Sequence, residues 1–191
     1  MSIPATIDHL LTVEDYLALG VPPSGYTELQ VGRLLMSPSP VPDHQHAGRM
    51  LANQLDGQVP EQFEVITDVD VDLELAPPDE PGTVRRPDLI IVNRTARQRI
   101  RGHGGITRAA EVAVIVEILP PGSERTVRKT KHSEYANAGV PHYWIISLDE
   151  PVSVAAYHLT DELGYIDGND VTGVFDTAEP FPLRVDLERL I

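Results

Sequence analysis

Apolar and polar positions along the chain change their spacing several times, and each spacing predicts an element. Thr12-Val-Glu-Asp15 has the form of a capped helix start; Leu17 and Leu19 supply apolar contact, and Gly20 stops the helix before Pro22-Pro23. Tyr26 to Met36 predicts two short strands broken at Gly32, a hairpin, and the prolines of Ser37 to Pro42 cannot continue a ladder because they lack the amide donor. Asp43 then caps a helix to about Gln58, with Met50, Leu51 and Leu55 facing inward. From Phe63 to Leu75 the spacing is two, with Val69, Val71, Leu73 and Leu75 on one face and Asp68, Asp70, Asp72 and Glu74 on the other. That predicts one strand with a wet face, whose acidic row either holds a cation or repels edge-to-edge pairing. Pro77 to Gly82 is a surface loop.

Leu89 to Val92 and Val112 to Leu119 are continuous apolar runs, as in strands buried on both faces, with an Arg- and Gly-rich stretch from Arg94 to Arg108 between them. Ser123 opens a helix that ends at Gly139, and Tyr143 to Ser147 is a strand paired as a hairpin with Val152 to Leu159. Strand, helix, strand in that order implies a right-handed crossover. Peripheral strands through Phe181 to Val185 and a short terminal helix complete the chain. At 191 residues, 41% hydrophobic, it is expected to form one α/β (α+β) domain over 1–191.

Composition narrows the function. The absence of Cys excludes disulfides, thiolate metal sites and cysteine nucleophiles. No apolar run approaches the roughly 20 residues of a membrane span, and the first residues lack a signal peptide's pattern, so the protein is expected in the cytoplasm, away from membranes. The net charge is −14, yet 11 of the 15 basic residues lie between Arg85 and Lys131, where only four acids oppose them. The segment is therefore +7 against −21 elsewhere. Such a cluster is either a solvated surface or a face that attracts a polyanion.

Three charges interrupt apolar patterns. Glu117 shares a strand face with Ile115 and Leu119, and a buried carboxylate requires a partner or a metal. Asp88 stands at the mouth of the neighbouring apolar run, after Pro87. At 100° per residue, Lys131 falls within the stripe that carries Val127, Tyr135 and Ala138. The plainer alternatives are a turn residue for Asp88, a structural salt bridge for Glu117 and a snorkelling Lys131. Converging, two acids and a lysine can hold a divalent cation and orient a water.

Arg86-Pro-Asp-Leu-Ile-Ile-Val92, Val116-Glu-Ile-Leu-Pro120 and Lys131-x3-Tyr135-x3-Gly139-Val140-Pro141-x-Tyr143-Trp144 together resemble the Uma-type endonucleases of the PD-(D/E)xK restriction-endonuclease superfamily. Glu28-Leu-Gln-Val-Gly32, Met36-Ser-Pro-Ser-Pro40 and His44-Gln45 are similar to that family's opening. The resemblance implies a mixed central sheet flanked by helices, a restriction-endonuclease-like fold. It makes Asp88, Glu117 and Lys131 the catalytic triad, with the lysine moved to the helix from the strand position where Leu119 stands, and Glu28 an additional acid. Asp88, Glu117 and the Ile118 carbonyl would hold Mg²⁺ or Mn²⁺, Lys131 would orient the attacking water, and the activity implied is metal-dependent cleavage of nucleic acid, DNA in the first instance. Val127, Pro121-Gly122, Val31 and Ser147 depart from the pattern.

Nucleic-acid contacts are expected from Arg97, Arg99, Arg101, Arg125, Arg128 and Lys129, the positive part of the chain. His44 and His46, two apart on a helix, are poorly spaced for joint ligation and better suited to capping or a phosphate contact. Two rivals stand beside this reading: a catalytically inactive nucleic-acid or protein-binding module that keeps the fold, and a hydrolase of small phosphoesters. A homodimer is the assembly left open.

Overall fold

The computed structural model describes residues 9–20, 22, 25–37, 41–122 and 125–191, with backbone alone for 125–129. In chain order the elements are α1 (Val13–Leu19), β1 (Tyr26–Gln30), β2 (Arg33–Ser37), α2 (Pro42–Leu55), β3 (Phe63–Thr67), β4 (Val71–Asp72), β5 (Val84–Arg85), β6 (Leu89–Asn93), α3 (Arg94–His103), β7 (Thr107–Arg108), β8 (Val112–Leu119), α4 (Arg125–Asn137), β9 (His142–Ser147), β10 (Ser153–Thr160), β11 (Gly164–Thr172), β12 (Val174–Thr177) and β13 (Leu183–Asp186). A 3₁₀ turn, Leu187–Leu190, follows.

The central sheet has six strands in the order β11-β10-β9-β8-β6-β3. It is mixed: β8 and β9 run parallel, joined through α4, and the remaining pairs are antiparallel. A second sheet, β2-β1-β5-β4-β7, carries the N-terminal hairpin, and β12 pairs with β13 apart from both. Apolar residues fill both faces of the central sheet, because β6 and β8 have no wet side. Ala47, Leu51 and Leu55 of α2 cover Leu89, Ile91, Val116, Ile118 and Trp144. On the opposite face, Tyr135 of α4 joins Ile90, Ile115, Tyr143 and Ile145. Among the described residues, no helix is long and apolar enough to cross a membrane.

Most predicted elements form. Thr12 and Asp15 make a reciprocal capping box at α1, and β1 and β2 pair as the hairpin. Two expectations change, and one unassigned stretch proves helical. The run from Phe63 to Leu75 is not one strand: Asp68 takes a left-handed backbone (φ 53°), and the chain leaves the central sheet at Thr67 to enter the second sheet at Val71. Alternation records the pleat but not this crossing, and Asp tolerates the left-handed region better than most residues. The stretch after β6 is the helix α3, capped by the Asn93 side chain accepting from the Thr95 amide at 3.0 Å; its only apolar side chains, Ala96 and Ile100, share one face but are too few to mark a helix among the arginines. Finally, α2 begins at Pro42, whose fixed φ suits a first helical position, with Asp43 in the first turn rather than capping. The expected helix start at Ser123 lies outside the described residues.

Candidate active site

β6 and β8 pair so that Leu89 faces Val116, which sets Asp88 beside Glu117 at one end of the sheet. Alternation along β8 sends Val116 and Ile118 toward α2 and Ile115 and Glu117 toward α4. Glu117 therefore lies under α4, and two side chains four residues apart on that helix meet it: Lys131 Nζ donates to Glu117 Oε1 at 2.9 Å and the Tyr135 hydroxyl donates to the same oxygen at 2.7 Å. Lys131 Nζ also reaches Oε1 of Glu28 on β1 at 3.1 Å. Asp88 Oδ2 accepts from the Ile118 amide at 2.6 Å and faces His44 Nε2 of α2 at 3.2 Å. Asp88, Glu117, Lys131, Glu28 and His44 line one cleft of about 290 Å³, together with Tyr26, Asp68 and Arg86.

Electrostatics follow from burial and from the neighbours. Glu117 is pushed up to about 7, chiefly by burial, with Lys131 opposing and Asp88 and Glu28 reinforcing the shift. Burial alone would lower Lys131, but Glu117 and Glu28 more than offset it and hold the ammonium above its ordinary range. Glu28 is also buried, yet Lys131, the Arg86 amide and Arg85 keep its carboxyl below the usual value. The hydrogen bond to Asp88 raises His44, whose Nδ1 is buried without a partner among the described residues. The cleft thus holds one fixed ammonium between two acids, one of which is poised to change charge near neutrality.

Sequence reasoning missed the frame that holds these groups. The Arg85 guanidinium, 3% exposed, donates to Glu28 Oε2 at 2.9 Å and forks onto both oxygens of Glu134 at 2.7 and 2.8 Å, tying β5 to β1 and to α4. Gln30 closes the chain by donating to Glu134 at 2.9 Å. Arg86 stacks over the Tyr26 ring, 4.7 Å from its centroid, and reaches Asp70 at 3.3 Å. The one signal for Tyr135 was its place four residues after Lys131; for Arg85 and Glu134 there was none, because their contact spans 49 residues.

The basic residues are placed differently from one another. Arg97 and Arg94 pair with Glu64 at 2.6 and 3.8 Å, Arg99 with Glu111 at 2.7 Å, and Arg108 approaches Glu74 at 3.9 Å. Acids distant in sequence thus neutralise much of the positive segment. α3 starts from the end of β6 opposite Asp88, and neither Arg97, Arg99 nor the exposed Arg101 lines the cleft. The side chains of Arg125, Arg128 and Lys129 lie outside the described residues. His44, expected as a capping or phosphate contact, lines the cleft and faces Asp88.

A divalent cation fits this donor set. Asp88 Oδ1 and Glu117 Oε2 accept no hydrogen bond from the described residues, and their remaining oxygens are fixed by the Ile118 amide, Lys131 and Tyr135. Among the described residues no three His, Asp or Glu side chains form a ready cage. One or two carboxylates, with water and substrate phosphate completing the shell, are how Mg²⁺ is commonly held.

A mixed sheet whose adjacent strands present two carboxylates, met by a lysine from the crossover helix, defines a domain of restriction-endonuclease-like fold. The chain belongs to the Uma2 family, described as "Putative restriction endonuclease", whose model matches residues 13–177. In fold it is similar to the crystal structure of "a putative nuclease belonging to DUF820 from Anabaena variabilis ATCC 29413", with 17% identity and a TM-score of 0.66 over 94% of this chain and 97% of that one. No curated protein matches the chain.

Proposed function

We propose that the protein is a metal-dependent endonuclease that hydrolyses phosphodiester bonds of nucleic acid, DNA in the first instance. The observation that carries this reading is the convergence of Glu117, Glu28 and Lys131 within 2.9 and 3.1 Å, beside Asp88 in one cleft. Asp88, Glu117 and the Ile118 carbonyl would hold Mg²⁺ or Mn²⁺. Bound there, the cation supplies charge neutralisation at the phosphate and acidifies a water. Lys131, held protonated between Glu117 and Glu28, would orient such a water and offset negative charge developing at phosphorus. Tyr135 and Lys131 fix Glu117 Oε1, so that Oε2 remains for ligation. Glu28 anchors Lys131, while Arg85 anchors Glu28.

The test is cleavage of labelled single- and double-stranded DNA in Mn²⁺, Mg²⁺ and EDTA. Activity is expected only with metal and is expected to fall by at least about 10²-fold in Glu117→Ala, the scale of losing one main electrostatic contributor. Metal-independent cleavage, or equal cleavage by the variant, overturns the assignment.

A further inference from the structure

The cleft does not end at the acids. A second cavity of about 180 Å³ adjoins it and shares His44, Asp68 and Asp88 as a common wall, so space opens on both sides of Asp88. A hydrolase of a small phosphoester needs room on one side of its phosphorus, whereas a strand cut internally must enter and leave. The second cavity lies between α2 and the end of β3, lined by Gln45, Gly48, Arg49, Ala52, Asn53 and Thr67.

Two rows on α2 shape it. Gln45, Arg49 and Asn53 recur every fourth residue, and all three are exposed. At 1.5 Å rise per residue they stand about 6 Å apart, comparable with the spacing of neighbouring phosphates along a strand. Their side chains supply amide and guanidinium donors, the groups that bind phosphate and sugar. The neighbouring row is Gly48 and Ala52, whose small size leaves the space open. Glycine inside a helix is less favourable than alanine, and the packing here does not demand it: a Cβ at Gly48 would meet only Ile118 Cδ1, at an ordinary 3.6 Å. α3 offers no comparable path, because Arg94, Arg97 and Arg99 face Glu64 and Glu111.

We infer that a nucleic-acid strand passes over the acids and continues along α2, its backbone held by Gln45, Arg49 and Asn53 above a floor of Gly48 and Ala52. This rests on the nuclease reading and names the path of its substrate.

The experiment measures the affinity of the full chain for a labelled oligonucleotide, single-stranded and duplex, by fluorescence anisotropy in Ca²⁺ across a salt series. Gly48→Leu, which fills the floor, is expected to weaken binding by at least about tenfold while melting no lower than wild type. Arg49→Ala is expected to weaken it by about tenfold, the scale of one charge-assisted hydrogen bond, and to lower the salt slope by about one phosphate's share. If Gly48→Leu melts early, Arg49→Ala with Asn53→Ala decides, since both side chains are exposed and carry no core contact. Unchanged affinity in these variants, or affinity lost instead in Arg97→Ala with Arg101→Ala, overturns the track. Wild-type cleavage in Mn²⁺ tests the acids separately. Binding that depends on Gly48 and Arg49 without cleavage upholds the track and refutes the nuclease reading; cleavage with binding indifferent to both residues does the reverse.

Discussion

Glu117 is buried beside a protonated lysine, and its raised pKa makes the metal-free fold sensitive to pH in a definite direction. In the unfolded chain the carboxyl titrates near its ordinary 4.5, and in the folded protein at about 7. Between those values the folded state binds more protons than the unfolded state, so this group's contribution to stability falls as pH rises from about 4.5 through 7. The full swing is about 3 kcal/mol, because each tenfold difference in proton affinity between the two states is worth about 1.4 kcal/mol. Urea denaturation in EDTA at pH 5 and pH 8 is expected to show that loss in wild type and to show it much reduced in Glu117→Gln; equal pH dependence in the two proteins would mean that Glu117 is not the titrating group. Tyr135 acts on the same carboxylate. Its hydroxyl bonds Glu117 Oε1 at 2.7 Å, so Tyr135→Phe removes a donor that favours the charged form. The expected cost is about 1.5–3 kcal/mol at pH 8, where the acceptor is charged, and nearer 1 kcal/mol at pH 5. A cost that is the same at both pH values would indicate that Tyr135 serves packing alone.

Between elements, the tie that sets the site is Arg85. It joins β5 to Glu28 of β1 and to Glu134 of α4, and both acids lie within one helical turn or one ion pair of Lys131. Replacing it strips Glu134 of its cation and leaves the buried Glu28 with Lys131 alone, so Arg85→Met is expected to destabilise the fold by about 3–5 kcal/mol in urea denaturation. Arg85→Lys is expected to recover only part of that, since an ammonium cannot fork onto both oxygens of Glu134. A loss below about 1 kcal/mol for Arg85→Met would show that β1, β5 and α4 hold their places without the tie. None of this was legible in the sequence, because the partners sit 57 and 49 residues from Arg85 and no spacing rule spans such distances. What was legible were contacts that local periodicity carries. Apolar runs located β6 and β8, alternation put Glu117 on the face of Ile115, and helical spacing set Lys131 on the inward stripe of α4. The second sheet escaped notice because β4, β5 and β7 are two residues each, too short to show any period.

At the scale of the molecule, the proposed metal bears on the charge balance. The cleft gathers Asp88, Glu117, Glu28 and Asp68 against Lys131 and Arg86, inside a chain of net charge −14. Such a protein repels a polyanion over most of its surface, so docking depends on local cations and on whatever neutralises the acids. A divalent ion held by Asp88 and Glu117, as proposed, would do both: it would add two positive charges at the cleft and remove the penalty of two neighbouring carboxylates. Because the unfolded chain has no such arrangement, binding must stabilise the folded state in proportion to RT ln(1 + [metal]/Kd), about 2.7 kcal/mol at a hundredfold excess over Kd. Mn²⁺ is therefore expected to raise the melting temperature of wild type, more at pH 8 than at pH 5, since at low pH protons compete for Glu117. In Glu117→Ala the metal-free protein is expected to remain folded, as a buried acid has been exchanged for a small apolar side chain, and the Mn²⁺-dependent rise is expected to vanish. If that variant and wild type show the same rise, these acids do not hold the metal, and the binding-module reading of the fold replaces the nuclease.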